Sequence, residues 1–138
     1  MNSTTDVKGY WIKLGAGYAK PQFFYMPSVL LPTLATDDKL TADGASGYAH
    51  NNGTYTVNLY QLFQNQFGTP VKSSLVTSNL DGFVLNSNQY DYFITYIDET
   101  VFDKESIVLT ADGSVSYKVK PNAIIRNGSF MNVVLKVK

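Results

Sequence analysis

The sequence predicts a mostly β domain: an antiparallel β-sandwich or small barrel, of jelly-roll or immunoglobulin-like type, with one short helix near residues 58–67. Three observations carry this. An Asp112-Gly113 pair lies between two alternating runs, where a hairpin turn belongs. Many other short runs rich in aromatic and β-branched residues are separated by Gly, Asn, Asp and Pro. A single stretch places its apolar residues at helical spacing. The 138 residues fit one domain, 1–138, with an extended N-terminal arm within 1–34.

In chain order, Lys8 to Leu14 reads as a strand, with Tyr10, Ile12 and Leu14 alternating with Trp11 and Lys13. Gly15-Ala16-Gly17 ends it. The apolar stretch Phe23 to Leu34 is broken by Pro27 and Pro32, which cannot donate to a central ladder. It therefore predicts an edge strand or an arm packed against another subunit. Phe23, Phe24, Tyr25, Met26, Val29, Leu30 and Leu31 become candidate interface residues. Ala35 to Gly53 reads as a long polar loop, and Gly53 to Asn58 resumes strand character. Asn58 to Gly68 is the helix: Leu59, Leu62, Phe63 and Phe67 share a face, Asn58 caps the start, Gly68 sits past the end and Pro70 stops it.

Val71 to Thr77 and Phe83 to Asn86 read as short strands around an Asn79 to Gly82 turn. Tyr90 to Ile97 is a strand with Tyr90, Tyr92, Ile94 and Tyr96 on one face and Phe93 and Ile97 on the other. Apolar residues on both faces predict a central strand or one facing a partner. A two-residue type I′ turn at Asp112-Gly113 would set Val108 opposite Tyr117, and Thr110 opposite Val115. Val108, Val115, Tyr117 and Val119 then face the core, while Lys118 and Lys120 face water. Asn127-Gly128 turns the chain into Phe130 to Lys138, where Val133, Leu135 and Val137 alternate with Val134, Lys136 and Lys138. Leu-Thr-Ala-Asp-Gly occurs twice, at 40–44 and 109–113. Shared turn chemistry accounts for this more simply than a duplication.

Lys plus Arg equals Asp plus Glu at 11 each, so phosphate-backbone binding lacks its driving force and a nucleic-acid partner is not expected. Lys118, Lys120, Arg126, Lys136 and Lys138 still give the C-terminal hairpins a basic wet face. The absence of cysteine excludes disulfides, thiolate catalysis and cysteine-ligated zinc. The first residues show no signal-peptide pattern, and no apolar run is long enough to span a bilayer. His50 is the only histidine and lies in a polar loop without a nucleophile motif beside it. Acidic loops at 37–43 and 98–105 read as solvated, with calcium left open. No catalytic residue, cofactor or metal ligand is assigned, and the chain is expected not to be an enzyme.

Two function classes remain. Low charge, Asn/Ser/Thr/Tyr richness, β architecture and an apolar arm needing cover point to a structural or assembly protein. A phage virion component, such as a capsid-decoration, head-fibre or tail-associated protein, is the expected kind. It would be made in the host cytoplasm and bound to protein partners, as a homo-oligomer or on shell proteins, with no membrane. The alternative is a carbohydrate-binding β-sandwich that stacks sugar on exposed Trp11, Tyr18 and Tyr48.

Overall fold

The computed structural model describes residues 22–74, 80, 84–126 and 128–138. The expected strand at Lys8 to Leu14, with Trp11 and Tyr18, lies outside the described residues, as do residues 75–79 and 81–83 of the expected strands Val71 to Thr77 and Phe83 to Asn86 and the turn between them. The described strands are β1 (Phe23–Leu30), β2 (Tyr48–Asn51), β3 (Thr54–Asn58), β4 (Tyr90–Ile97), β5 (Val108–Leu109), β6 (Ser114–Tyr117) and β7 (Phe130–Val137). The helix α1 is Leu59–Gly68. All pairings are antiparallel, in one sheet of order β1-β7-β4 and another of order β2-β3-β6-β5. The mostly β class and the single short helix are as the sequence predicts.

Among the described residues β7 is the centre of the three-stranded sheet, with β4 on one side and β1, from the N-terminal side of the chain, on the other.

The inward faces of both sheets and of α1 meet in one core. Alternation along β7 buries Met131, Val133 and Leu135, and along β6 it buries Val115 and Tyr117. Phe24, Phe63 and Tyr90 pack edge to face, with ring centroids 5.4 to 6.1 Å apart. Tyr117 stacks on Tyr55 at 5.4 Å and meets the edge of Phe102 at 5.2 Å. A buried phenol needs a partner. Tyr117 donates to the Pro32 carbonyl at 2.7 Å, which pins the chain just after β1. Tyr60 donates to the Leu85 carbonyl, Tyr90 accepts from the Leu85 N–H, and Tyr92 donates to the Ser87 carbonyl. These three bonds hold the irregular approach to β4.

Local chemistry explains α1. The Asn58 side chain accepts from the Gln61 N–H at 3.0 Å, as an N-cap should. Leu59 and Phe63 are buried beneath it. Gly68 is its last helical residue rather than the residue beyond it.

Several elements differ from expectation. The hairpin at Asp112-Gly113 is real, but its loop is one residue longer. The Gly113 N–H donates to the Thr110 carbonyl, Gly113 has φ +90°, and Thr110 N–H reaches Ser114. This is a type I turn with a left-handed glycine, the three-residue hairpin. Val108 therefore pairs with Ser116, not Tyr117, and is 56% exposed rather than core. The type I′ turn occurs instead at Asn52-Gly53, both at positive φ, between β2 and β3. Thus β2 occupies the end of the expected 35–53 loop.

The two Leu-Thr-Ala-Asp-Gly copies share one turn. In each, the glycine N–H donates to the threonine carbonyl at 3.1 Å and the glycine has positive φ. The described parts of the two expected strands, residues 71–74 and 84–86, are not in strand.

Candidate functional site

The outer face of the β1-β7-β4 sheet is the most unusual surface of the described residues. Strand alternation sends every second side chain outward. On β7 these are Phe130, Asn132, Val134 and Lys136. Opposite them on β1 lie Leu30, Tyr25 and Phe23, and on β4 lie Tyr96, Phe93 and Asp91. Tyr25, Val134 and Phe93 form a row straight across the three strands. Phe23, Tyr25, Leu30, Phe93 and Tyr96 are between 42% and 60% exposed. Soluble sheets commonly alternate apolar-in with polar-out, and this one carries apolar residues on both faces.

Two bulges create the arrangement. In β1 the register shifts between Met26 and Val29, at Pro27-Ser28. Proline has no N–H to give, and Ser28 takes φ +56°. The extra residue keeps Met26 and Val29 both buried and turns Leu30 outward. In β4 the shift falls between Ile94 and Tyr96. It sends Ile97 inward with Tyr90, Tyr92 and Ile94, and it sends Tyr96 outward beside Phe93. The regular alternation expected for Tyr96 and Ile97 is therefore reversed. Asn132 lies between the bulges: its Oδ1 accepts from the Ser28 N–H at 3.2 Å, and its carbonyl accepts from the Thr95 hydroxyl at 3.3 Å.

Charge on this face is sparse. Asp91 and Lys136 face each other at 3.9 Å, a surface ion pair worth at most about 1 kcal/mol. Tyr96 and Phe130 lie with ring centroids 5.3 Å apart at the face's edge. Below them a cleft of about 420 Å³ opens between Tyr96, Asp98, Asn122, Ile124, Arg126 and Phe130. Asp98 accepts from the Thr100 hydroxyl and N–H, and these bonds hold its carboxyl below the usual carboxylate range.

The structure divides the predicted interface residues. Met26, Val29 and Leu31 are buried in the chain's own core, so they cannot also be a free surface. Phe24 is half-buried and packs on Phe63 and Tyr90. Only Phe23, Tyr25 and Leu30 face outward. The arm is not detached: it is β1, paired along its length with β7. Phe93, Tyr96, Phe130 and Val134 join the surface. Pairing across β7 gathers them, and no local pattern announces it. The one usable signal was that Tyr90 to Ile97 is apolar on both faces.

Tyr48 is 8% exposed and faces the core opposite Val57, so it cannot stack on a sugar. Trp11 and Tyr18 lie outside the described residues. The five C-terminal cations do not share one face. Lys118 follows β6, whereas Lys136 belongs to β7 in the other sheet.

His50 accepts from the Gly53 N–H at 3.2 Å and packs on Tyr55 at 4.6 Å, so it serves the Asn52-Gly53 turn. Carboxylates in the acidic loops serve the loops' own turns: Asp37 accepts from Lys39, Asp43 from Ala45, and Asp103 from Glu105. Among the described residues no three His, Cys, Asp or Glu side chains converge as metal ligands would.

Fold and surface together define a class: a two-sheet antiparallel β domain with an apolar outer sheet face. No family model matches the sequence, and neither a curated protein nor a solved structure matches it.

Proposed function

We propose that the chain is a non-enzymatic structural or assembly protein that acts through the outer face of the β1-β7-β4 sheet, with a second copy of itself as the first occupant. The observation carrying this reading is the Tyr25-Val134-Phe93 row, half-buried at Val134 and exposed at Tyr25 and Phe93, flanked by Phe23, Leu30 and Tyr96. Three eight-residue strands cover roughly 400 Å² at about 3.3 Å per residue and about 4.8 Å between strands. That is about half of the roughly 800 Å² each partner buries in a standard interface. A single such contact is weak. It suits an assembly in which many copies bind at once and avidity supplies the strength.

Self-association is supported by charge. Asp91 and Lys136 lie side by side, so a two-fold-related copy can match each to its opposite. Formal net charge is zero, so copies do not repel at long range. Composition adds the further proposal of a virion component, a capsid-decoration, head-fibre or tail-associated protein that also contacts shell proteins.

Sedimentation over a concentration series tests the core of this reading. The expected result is concentration-dependent association that Tyr25→Lys with Phe93→Lys abolishes while the melting temperature holds. A chain that stays monomeric at about millimolar concentration, where short-range avidity effects operate, refutes it.

A further inference from the structure

We infer that β1 is an exchangeable strand, supplied to a neighbouring copy when the chain assembles; this rests on the assembly reading above. The argument begins with topology. Among the described residues β1 lies at an edge of its sheet, pairing with β7 about a hundred positions away in sequence. Residues 31–47, which connect it to β2, contain no strand and no helix. A connection of that kind can lead to the strand's place in its own domain or in an adjacent one. Donated edge strands that complete a sheet are an established recognition mode, and exchange of an identical element is a low-cost route to assembly.

The site for the strand cannot stay empty. Removing β1 would strip the core of Met26 and Val29 and of the Phe24 ring that packs on Phe63 and Tyr90. It would also leave the Asn132 side chain without the Ser28 N–H. Every copy must therefore be completed, by its own strand or by a neighbour's. The outward side of β1 is apolar too, through Phe23, Tyr25 and Leu30. A strand apolar on both sides is poorly suited to the edge of a solitary domain and well suited to lie between copies.

Closed and exchanged forms make the same contacts, so concentration decides between them. The connection, a run of hydrogen-bonded turns, holds its own strand at an effective concentration of order millimolar. The closed monomer therefore prevails in dilute solution. Exchange takes over when neighbours are presented at millimolar local concentration, as in an ordered array. Leu31 and Pro32 stay with the strand, because Tyr117 binds the Pro32 carbonyl and Leu31 N–H binds Ser129. The hinge thus falls after Pro32.

The chain has no cysteine, which gives a clean test. Met26 and Val133 are directly paired and both buried, so a disulfide between them forms only when β1 occupies its place. One preparation carries Met26→Cys and another carries Val133→Cys. They are mixed, unfolded, refolded together at low and at about millimolar concentration, and oxidised. The expected result is a covalent dimer joining the two variants, absent at low concentration and rising more than ten-fold at high. The double variant in dilute solution should close within one chain, which confirms that the pair can bond.

Sedimentation of the same samples separates the two ideas. Association without the covalent dimer overturns strand exchange and leaves face-to-face assembly standing. Neither association nor dimer overturns both. Surface packing cannot mimic the positive result, because Met26 and Val133 face inward.

Discussion

Replacing Gly113 with alanine separates two costs that a turn glycine can carry. The first is conformational. Gly113 has φ +90°, where a side chain strains the backbone by about 1–2 kcal/mol. The second is steric. A Cβ at Gly113 would sit 2.6 Å from Cζ and 2.7 Å from Cε2 of Tyr92. The Tyr92 ring is not free to retreat: it is buried, and its hydroxyl is bonded to the Ser87 carbonyl at 2.8 Å. Overpacking of this kind costs about 1–3 kcal/mol more. Gly53 supplies the control. It has φ +80°, and a Cβ there meets nothing within 4 Å. Gly53→Ala should therefore lose only the conformational part. Urea unfolding monitored by far-ultraviolet circular dichroism measures both. The expected losses are about 2–5 kcal/mol for Gly113→Ala and about 1–2 for Gly53→Ala. Equal losses at the two sites would refute the claim that the hairpin tip is seated on Tyr92.

Three further outcomes follow from the same structure. Tyr117→Phe removes the donor to the buried Pro32 carbonyl and should cost about 1–3 kcal/mol in chemical denaturation, whereas an unchanged midpoint would mean the bond contributes nothing. Asn132→Ala takes the acceptor from Ser28 N–H at a strained bulge and should lower the melting temperature and speed amide exchange at Ser28; normal protection there would contradict the role given to Asn132. Burial first, and neighbouring phenols and carboxylates second, push the Tyr92 and Tyr117 hydroxyls above the ordinary tyrosine range. The unfolded chain then releases phenolic protons near pH 10 while the folded one holds them. The stability these groups contribute is complete below about pH 10 and is lost as pH rises beyond it. Melts across the alkaline range, with phenolate absorbance followed in parallel, should show falling stability and a late-ionising group of tyrosines that includes Tyr92 and Tyr117; a single uniform transition in a folded chain would oppose this.

Local signals in the sequence were reliable where the physics is local. Asn58 capping the helix, glycine at the positive-φ turn positions, and the alternation of Val115, Tyr117, Val133 and Leu135 all depend on neighbours along the chain. The composition also required an apolar segment near residues 23–34 to be covered. Hairpin register was already less secure: one extra loop residue moved Val108 from core to surface, because side-chain direction reverses with every position.

What the sequence by itself determined, then, is the β class, the one helix, the turn at Asp112-Gly113 and the inward residues of β6 and β7. Only the tertiary structure decided which strands share a sheet. Among the described residues it made β7 the centre of its sheet, with Tyr90 to Ile97 on one side and the strand Phe23–Leu30 on the other. It also decided the outer face, since the bulges opposite Asn132 turn Leu30 and Tyr96 outward. The physical reason is that a strand's hydrogen bonds and its covered face come from chain segments far away in sequence. A strand's own residues specify two faces, and the partners choose which one meets water.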